Sequence, residues 1–202
     1  PLVRLRATAM QEAVPVGVGA MAAILGLDAE AVRGGCKAAA EASGEVVEAV
    51  NFNDPKQTVI AGSKAGVEKA CEMLKAAGAK RALPLPVSAP FHSSLMKPAA
   101  LRLQAALAEV PMQAPRIPVV NNIDVAAPAD PAAIRDALVR QAAGPVRWVE
   151  VVEALRGRGL SHVVECGPGK VLAGMVKRIA GDLVTTTIFD PASLAEAKGL
   201  LA

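Results

Sequence analysis

His92 is one of two histidines in the chain and stands in LPLPVSAPFHSSLMK, residues 83 to 97. Imidazole titrates close to neutral pH, which suits it to taking and returning a proton. Pro86 and Pro90 stiffen the main chain ahead of it and a helix start follows, so the ring is held from both sides. A general base is usefully placed there, but a loop histidine that is merely solvated or hydrogen-bonded would look the same. Arg6 lies beside the apolar face of the opening helix. A planar guanidinium can grip a carboxylate through two parallel N–H bonds, or it is a helix-surface charge like Arg4. Asn51 and Asn53 flank Phe52 and point to one face of a strand end, where they satisfy turn backbone or line a cleft. GPGK at 167 to 170 follows a strand but lacks the glycine spacing and Ser/Thr of a P-loop, and reads mainly as a structural turn. Lys170 and His162 read as surface or packing residues.

A hydrophobic fraction of 52% in 202 residues can fill one large core or two small ones. Charged residues, Gly or Pro interrupt every apolar run before it reaches bilayer-spanning length, so no membrane partner is expected. The 22 basic and 19 acidic residues are scattered, leaving a net +3 without a nucleic-acid stripe. With Trp148, three Phe and no Tyr, a base-stacking surface is not expected either. Cys36, Cys71 and Cys166 are odd in number, widely spaced and in apolar contexts. They suggest buried thiols in a reducing compartment, with the cytoplasm as default, rather than disulfides or a metal site. The sequence enters at Pro1 on what reads as the middle of an amphipathic helix, so a missing N-terminal portion is expected and no signal peptide is seen.

Stepping from helix to strand, the pattern places these residues. The opening helix carries Leu2, Leu5, Ala9 and Met10 on one face and stops before Pro15. Strands are expected at 21 to 25, 46 to 52, 58 to 62 and 81 to 87, the second and third as a hairpin across DPKQ. Asp28 and Ser63 cap the two intervening helices, the first ending at Gly44 and the second at Gly78. The order βαββαβ is that of a ferredoxin-like module. Beyond His92 the pattern predicts a helix over 94 to 110 and a buried parallel strand, IPVVNN, at 117 to 122. It continues with a helix from Asp130 to Gln141, a helix in VRWVEVVEAL, and strand, helix, strand and helix from His162 onward.

MQEAVP at 10 to 15, GAMAAILGL at 19 to 27, VNFNDP at 50 to 55 and AGAKRALPLPVSAPFHSSLMKPAA at 77 to 100 are followed by PVVNNIDV at 118 to 125, IRDALVRQ at 134 to 141 and ECGPGKVLAGMVKR at 165 to 178. In order and spacing this set closely resembles the malonyl-CoA:acyl carrier protein transacylase family, over essentially the whole chain. The resemblance implies an α/β fold in which an α/β-hydrolase-like core, here incomplete (residues 1–15 and 89–202), carries an inserted ferredoxin-like βαββαβ subdomain (residues 16–88). It implies ping-pong transfer of malonyl from coenzyme A to the phosphopantetheine thiol of acyl carrier protein in fatty-acid synthesis, with no cofactor of the enzyme's own.

In the residues that match, the resemblance makes His92 the catalytic base and Gln141 the residue whose main-chain carbonyl orients the imidazole. Arg6 becomes the grip on the malonyl carboxylate. Phe91 becomes the bulky residue that favours malonyl over methylmalonyl. On the cleft reading Asn51 and Asn53 join the substrate-binding set. Lys80, Arg81, Lys177 and Arg178 become candidates for docking the acidic carrier protein, or are solvated charges. The family's nucleophile elbow, G-x-S-x-G, and its G-Q-G-S-Q segment do not occur among these residues. The chain alone is therefore expected to transfer nothing and to be the C-terminal part of an enzyme that does. An acyltransferase domain of a polyketide synthase is the alternative within the class. A non-catalytic ferredoxin-like binding or regulatory module is the alternative outside it.

Overall fold

The computed structural model describes residues 1–201. The chain divides into two compact units, one of residues 1–147 and one beginning at Trp148. The first holds helix α1 (Leu2–Ala13), strand β1 (Gly19–Leu25), α2 (Ala29–Ser43), β2 (Val47–Asp54), β3 (Gln57–Ser63), α3 (Lys64–Ala76), β4 (Arg81–Pro84), a single 3-10 turn (Ser94–Met96), α4 (Lys97–Ala108) and α5 (Pro131–Ala142).

Four strands form one antiparallel sheet in the order β2-β3-β1-β4. Helices α2 and α3 start where side-chain oxygens accept free N–H groups: Asp28 from Ala31 N at 2.9 Å and Ser63 from Gly66 N at 3.1 Å. Gly44 ends α2 in the left-handed conformation at φ +71°. Both helices bury one stripe, Val32, Cys36 and Ala39 from α2 and Val67, Ala70 and Leu74 from α3, against Ala22, Ile24 and Ile60 of the sheet. The opposite sheet face buries Met21, Ala23, Val50, Val59 and Ala61, with Leu85 and Phe91 packed on it. With both faces covered, β1 is buried at four consecutive positions, 21 to 24. A separate helical layer packs Ala9 and Met10 of α1 against Ala99, Ala100, Leu103 and Leu107 of α4, together with Ala89, Met96 and Ala142.

The second unit holds α6 (Trp148–Gly157), β5 (His162–Cys166), α7 (Val171–Ile179), β6 (Val184–Ile188) and α8 (Pro191–Leu201). Strands β5 and β6 pair in parallel, from His162 opposite Val184 to Cys166 opposite Ile188. Val152, Val176, Ala180 and Leu183 form its core.

Five expectations from the sequence change, the first being β4, which was expected to reach residue 87 and ends at Pro84. IPVVNN is no strand: Ile117 is 76% and Val119 62% exposed, and no strand pairs with this segment among the described residues. An apolar run becomes a strand only when a neighbour takes its backbone hydrogen bonds. Here Asn121 N instead donates to Ala126 O at 2.9 Å, closing a turn with Val125 at φ +57°. Helix α4 begins three residues later than predicted, after the 3-10 turn, and ends at Ala108. Helix α6 begins only at Trp148, because Val146 adds itself to the edge of β2, donating to Val50 O at 2.7 Å and accepting from Phe52 N at 2.9 Å. Finally, only Cys36 is buried: Cys71 is half-buried and Cys166 exposed. Burial, with lesser contributions from Cys71 and Glu48, pushes the Cys36 thiol up to about 12. No helix among the described residues is long and apolar enough to cross a membrane.

Candidate active site

Between α1 and the sheet face that lacks α2 and α3 lies an open cleft of about 570 Å³. Arg6, Ala7, Met10 and Gln11 line it from α1, and Met21, Asn51, Asn53, Val59 and Leu85 from the sheet and its continuation. Phe91 and His92 close one end. Arg6 and Met10, and Ala7 and Gln11, are each one helical turn apart and so share a face. Asn51 and Asn53 alternate with buried Phe52, and that places both amides on the cleft side.

The loop that carries His92 is fixed at several points. Pro90 is buried against Gly19 of β1, where a Cβ would stand 2.4 Å from the proline Cδ. The Ser93 hydroxyl donates to Pro90 O at 2.7 Å. Gln11 Nε2 donates to Ser88 O at 3.2 Å, and Glu48 Oε2 accepts from Ser94 N at 2.7 Å. His92 itself is held at φ +66°, in the left-handed region that few non-glycine residues occupy.

His92 Nδ1 lies 3.2 Å from the main-chain oxygen of Gln141, in the last turn of α5. A carbonyl can only accept, so Nδ1 carries the proton and Nε2 keeps the basic lone pair. Burial lowers the imidazole pKa below its ordinary value, and the Arg6 charge lowers it further. The main-chain groups of Gln141 and Gly144 act the other way. The result is a ring that stays neutral, and able to accept a proton, at pH values where a free histidine begins to charge. Arg6 is half-buried and its pKa is lowered by that burial. It makes no ion pair with a carboxylate among the described residues, so a cation waits in the cleft without a counter-ion. Arg4, in contrast, is exposed.

The remaining candidate residues lie outside the cleft. Lys80 and Arg81 are exposed in the first unit, at the entry to β4. Lys177 and Arg178 are exposed in the last turn of α7 in the second, Arg178 donating to Gly174 O at 3.1 Å. GPGK is a turn, with Gly167 at φ +144° and Gly169 at φ +132°. The start of α7 that follows is capped from within, Glu165 Oε2 accepting from Ala173 N at 2.8 Å. Lys170 lies over the Phe189 ring. Among the described residues no cluster of His, Cys, Asp and Glu could hold a metal ion.

Over 196 residues the chain is 54% identical to the malonyl CoA-acyl carrier protein transacylase of Salmonella typhimurium, a match covering 97% of this chain and 63% of that protein. The crystal structure of an acyl-carrier-protein S-malonyltransferase from Burkholderia pseudomallei is 68% identical and superposes with a TM-score of 0.95, over 98% of this chain and 64% of that one. Over the stretch it spans, the chain is similar to malonyl-CoA:acyl carrier protein transacylases. A further relative, a malonyl-transacylase solved in complex with its type II polyketide acyl-carrier protein, is 52% identical with a TM-score of 0.94, over 97% of this chain and 63% of that one. No family model matches the chain. The mixed α/β fold is that of the solved transacylases, and the chain spans 63% of the length of the Salmonella transacylase.

Gln11 and Glu48, which touch the histidine loop, were not singled out from the sequence. Gln11 was legible: it lies in MQEAVP and follows Ala7 by one turn of α1. Glu48 carried no signal, because its partner lies 46 residues away.

Proposed function

We propose that this chain supplies the base and the carboxylate grip of a malonyl-CoA:acyl carrier protein transacylase. The observation that carries this reading is the placement of Arg6, without a counter-ion, in the same cleft as a histidine whose Nδ1 faces a main-chain carbonyl. The nucleophile is a serine from a G-x-S-x-G segment outside these residues. Its hydroxyl gives its proton to Nε2 of His92 and its oxygen attacks the thioester carbonyl of malonyl-CoA. The C–S bond breaks, and the imidazolium returns the proton to the departing coenzyme A thiolate. The phosphopantetheine thiol of the carrier protein then gives its proton to Nε2, attacks the malonyl ester, and the serine leaves with that proton. Arg6 holds the malonyl carboxylate through paired N–H bonds in both half-reactions. Asn51 and Asn53 contact substrate from the sheet. Phe91 narrows the space beside the α-carbon against a methyl branch. No cofactor beyond the partner's phosphopantetheine is needed.

In this reading the four-stranded antiparallel unit is a ferredoxin-like subdomain, residues 16–88, inserted in an α/β-hydrolase-like core of residues 1–15 and 89–202. Its strand order and its two helices on one face support this. Lys80, Arg81, Lys177 and Arg178 dock the acidic carrier, and the enzyme works in the cytoplasm. Fatty-acid synthesis is the pathway; a polyketide setting is the second reading, favoured by the relative solved with a polyketide carrier.

The test is a chimera in which these 202 residues replace the matching stretch of the Burkholderia pseudomallei enzyme. It should transfer malonyl to carrier protein. His92→Ala should lower kcat by about a thousandfold, and Arg6→Ala should raise the malonyl-CoA KM and erase the preference for malonyl over acetyl. A folded chimera that transfers no malonyl would sink the reading.

A further inference from the structure

We infer that Glu48 is a positioning residue for His92, tying the histidine loop to the four-stranded sheet through the main chain of Ser94. The effect on catalysis rests on the acyl-transfer reading above, whereas the tie itself does not.

Ser94 opens the 3-10 turn, where the first N–H groups have no partner within the turn. A residue at the cap position ordinarily supplies one. Here the preceding Ser93 makes no cap bond, since its hydroxyl is turned back to Pro90 O at 2.7 Å. The half-buried carboxylate of Glu48 takes the place of that cap from another element, accepting from Ser94 N at 2.7 Å. A carboxylate in this position makes a charge-assisted bond, stronger than the hydroxyl bond it replaces. The consequence differs in kind as well. A local cap holds a turn only to itself, but Glu48 holds this one to β2, the strand that also carries Asn51 and Asn53 into the cleft.

His92, two residues before Ser94, occupies a left-handed conformation at φ +66° that a slack loop would leave for the broader extended or right-handed regions. Leaving it would carry Nδ1 off Gln141 O. On the other side of the histidine, Gln11 holds Ser88 O, but that bond is exposed and neutral. Of these two hydrogen bonds that of Glu48 is the stronger, and with the Pro90–Gly19 contact ahead of the histidine it holds the loop to the sheet side of the cleft.

Hydrogen exchange at the amides of residues 91–95 and steady-state kinetics, both on the chimera, test this. Glu48→Ala should speed exchange at Ser94 and its neighbours by about tenfold and lower kcat by about tenfold, with the malonyl-CoA KM changed less than about twofold. Glu48→Gln keeps an acceptor oxygen and should restore most of both. Ser94→Pro removes the donor at a position whose helical φ suits proline, and should reproduce Glu48→Ala. The double variant should be no worse than either single one. Unchanged exchange and kcat in Glu48→Ala, with an active parent, would overturn the tie alone, as would full additivity in the double variant. Faster exchange in a parent that transfers no malonyl would uphold the tie and overturn the acyl-transfer reading instead.

Discussion

Pro90 lies so close to Gly19 that a methyl group on the glycine would stand 2.4 Å from the proline Cδ and 2.6 Å from its Cγ. β1 and the histidine loop are therefore in contact through a glycine that has to stay a glycine. Its role is proximity, since Gly19 is not among the residues with positive φ.

Gly19→Ala should consequently act at a distance. The proline must move by several tenths of an ångström or more, and overpacking of this sort destabilises by about 1–3 kcal/mol. His92 follows two residues later. A drop in melting temperature together with a loss of kcat is expected, and an unperturbed kcat would show that the loop absorbs the shift before it reaches the ring.

Gln141 meets the His92 ring through its main-chain oxygen, 3.2 Å from Nδ1. Gln141→Ala should leave kcat within about threefold, because the carbonyl remains at the end of α5. Side-chain replacement that lowers kcat by a hundredfold would mean that the amide takes part directly. The comparison is a simple one of steady-state rates.

Local signals made most of the fold legible. Asp28 and Ser63 cap the helices they were expected to cap, Asp130 opens α5 where the helix was expected to start, and each accepts an N–H from the third residue on. The alternation around Phe52 and the turn at DPKQ located the hairpin. What could not be read were interactions whose partner is distant in sequence or lacks a pattern. IPVVNN carries an apolar run, but a strand needs a neighbour that the run itself does not specify. Val146 looked like the start of a helix and is a backbone bridge to β2. In the site, Arg6, Phe91 and His92 carried motifs, and the cleft unites them with Asn51 and Asn53. Glu48 carried none, and Gly19 stood in GAMAAILGL with nothing to mark its contact, since close approach and loop anchoring leave no periodicity in the chain.

Helices α4 and α5 depend on one arginine. Arg135 of α5 donates from Nε to Leu107 O at 3.1 Å, a carbonyl that also accepts from Val110 N at 3.3 Å, and from an Nη to Val110 O at 2.9 Å, just past the end of α4. Arg135→Ala should cost about 1–2 kcal/mol in stability, read by denaturant unfolding. Arg135→Lys, with a single point charge in place of the planar fork, should recover at most half of it.

The lowered pKa of His92 makes stability depend on pH in a definite sense. Burial is the larger cause and the Arg6 charge adds to it. The unfolded chain binds a proton to this ring below the ordinary imidazole value of about 6.5, while the folded chain does so only at lower pH. Between the two values the unfolded state holds more protons, so stability rises with pH across that window and is flat above it. Below the folded value the destabilisation is complete. His92→Gln should therefore flatten the dependence of melting temperature on pH below about 6.5 while leaving the neutral-pH value little changed. Arg6→Leu removes one of the two depressing causes and should move the His92 titration part of the way back up. Proton NMR of the His92 imidazole resolves this directly. A His92 titration that fails to rise in Arg6→Leu would mean that the guanidinium does not act on the ring across the cleft.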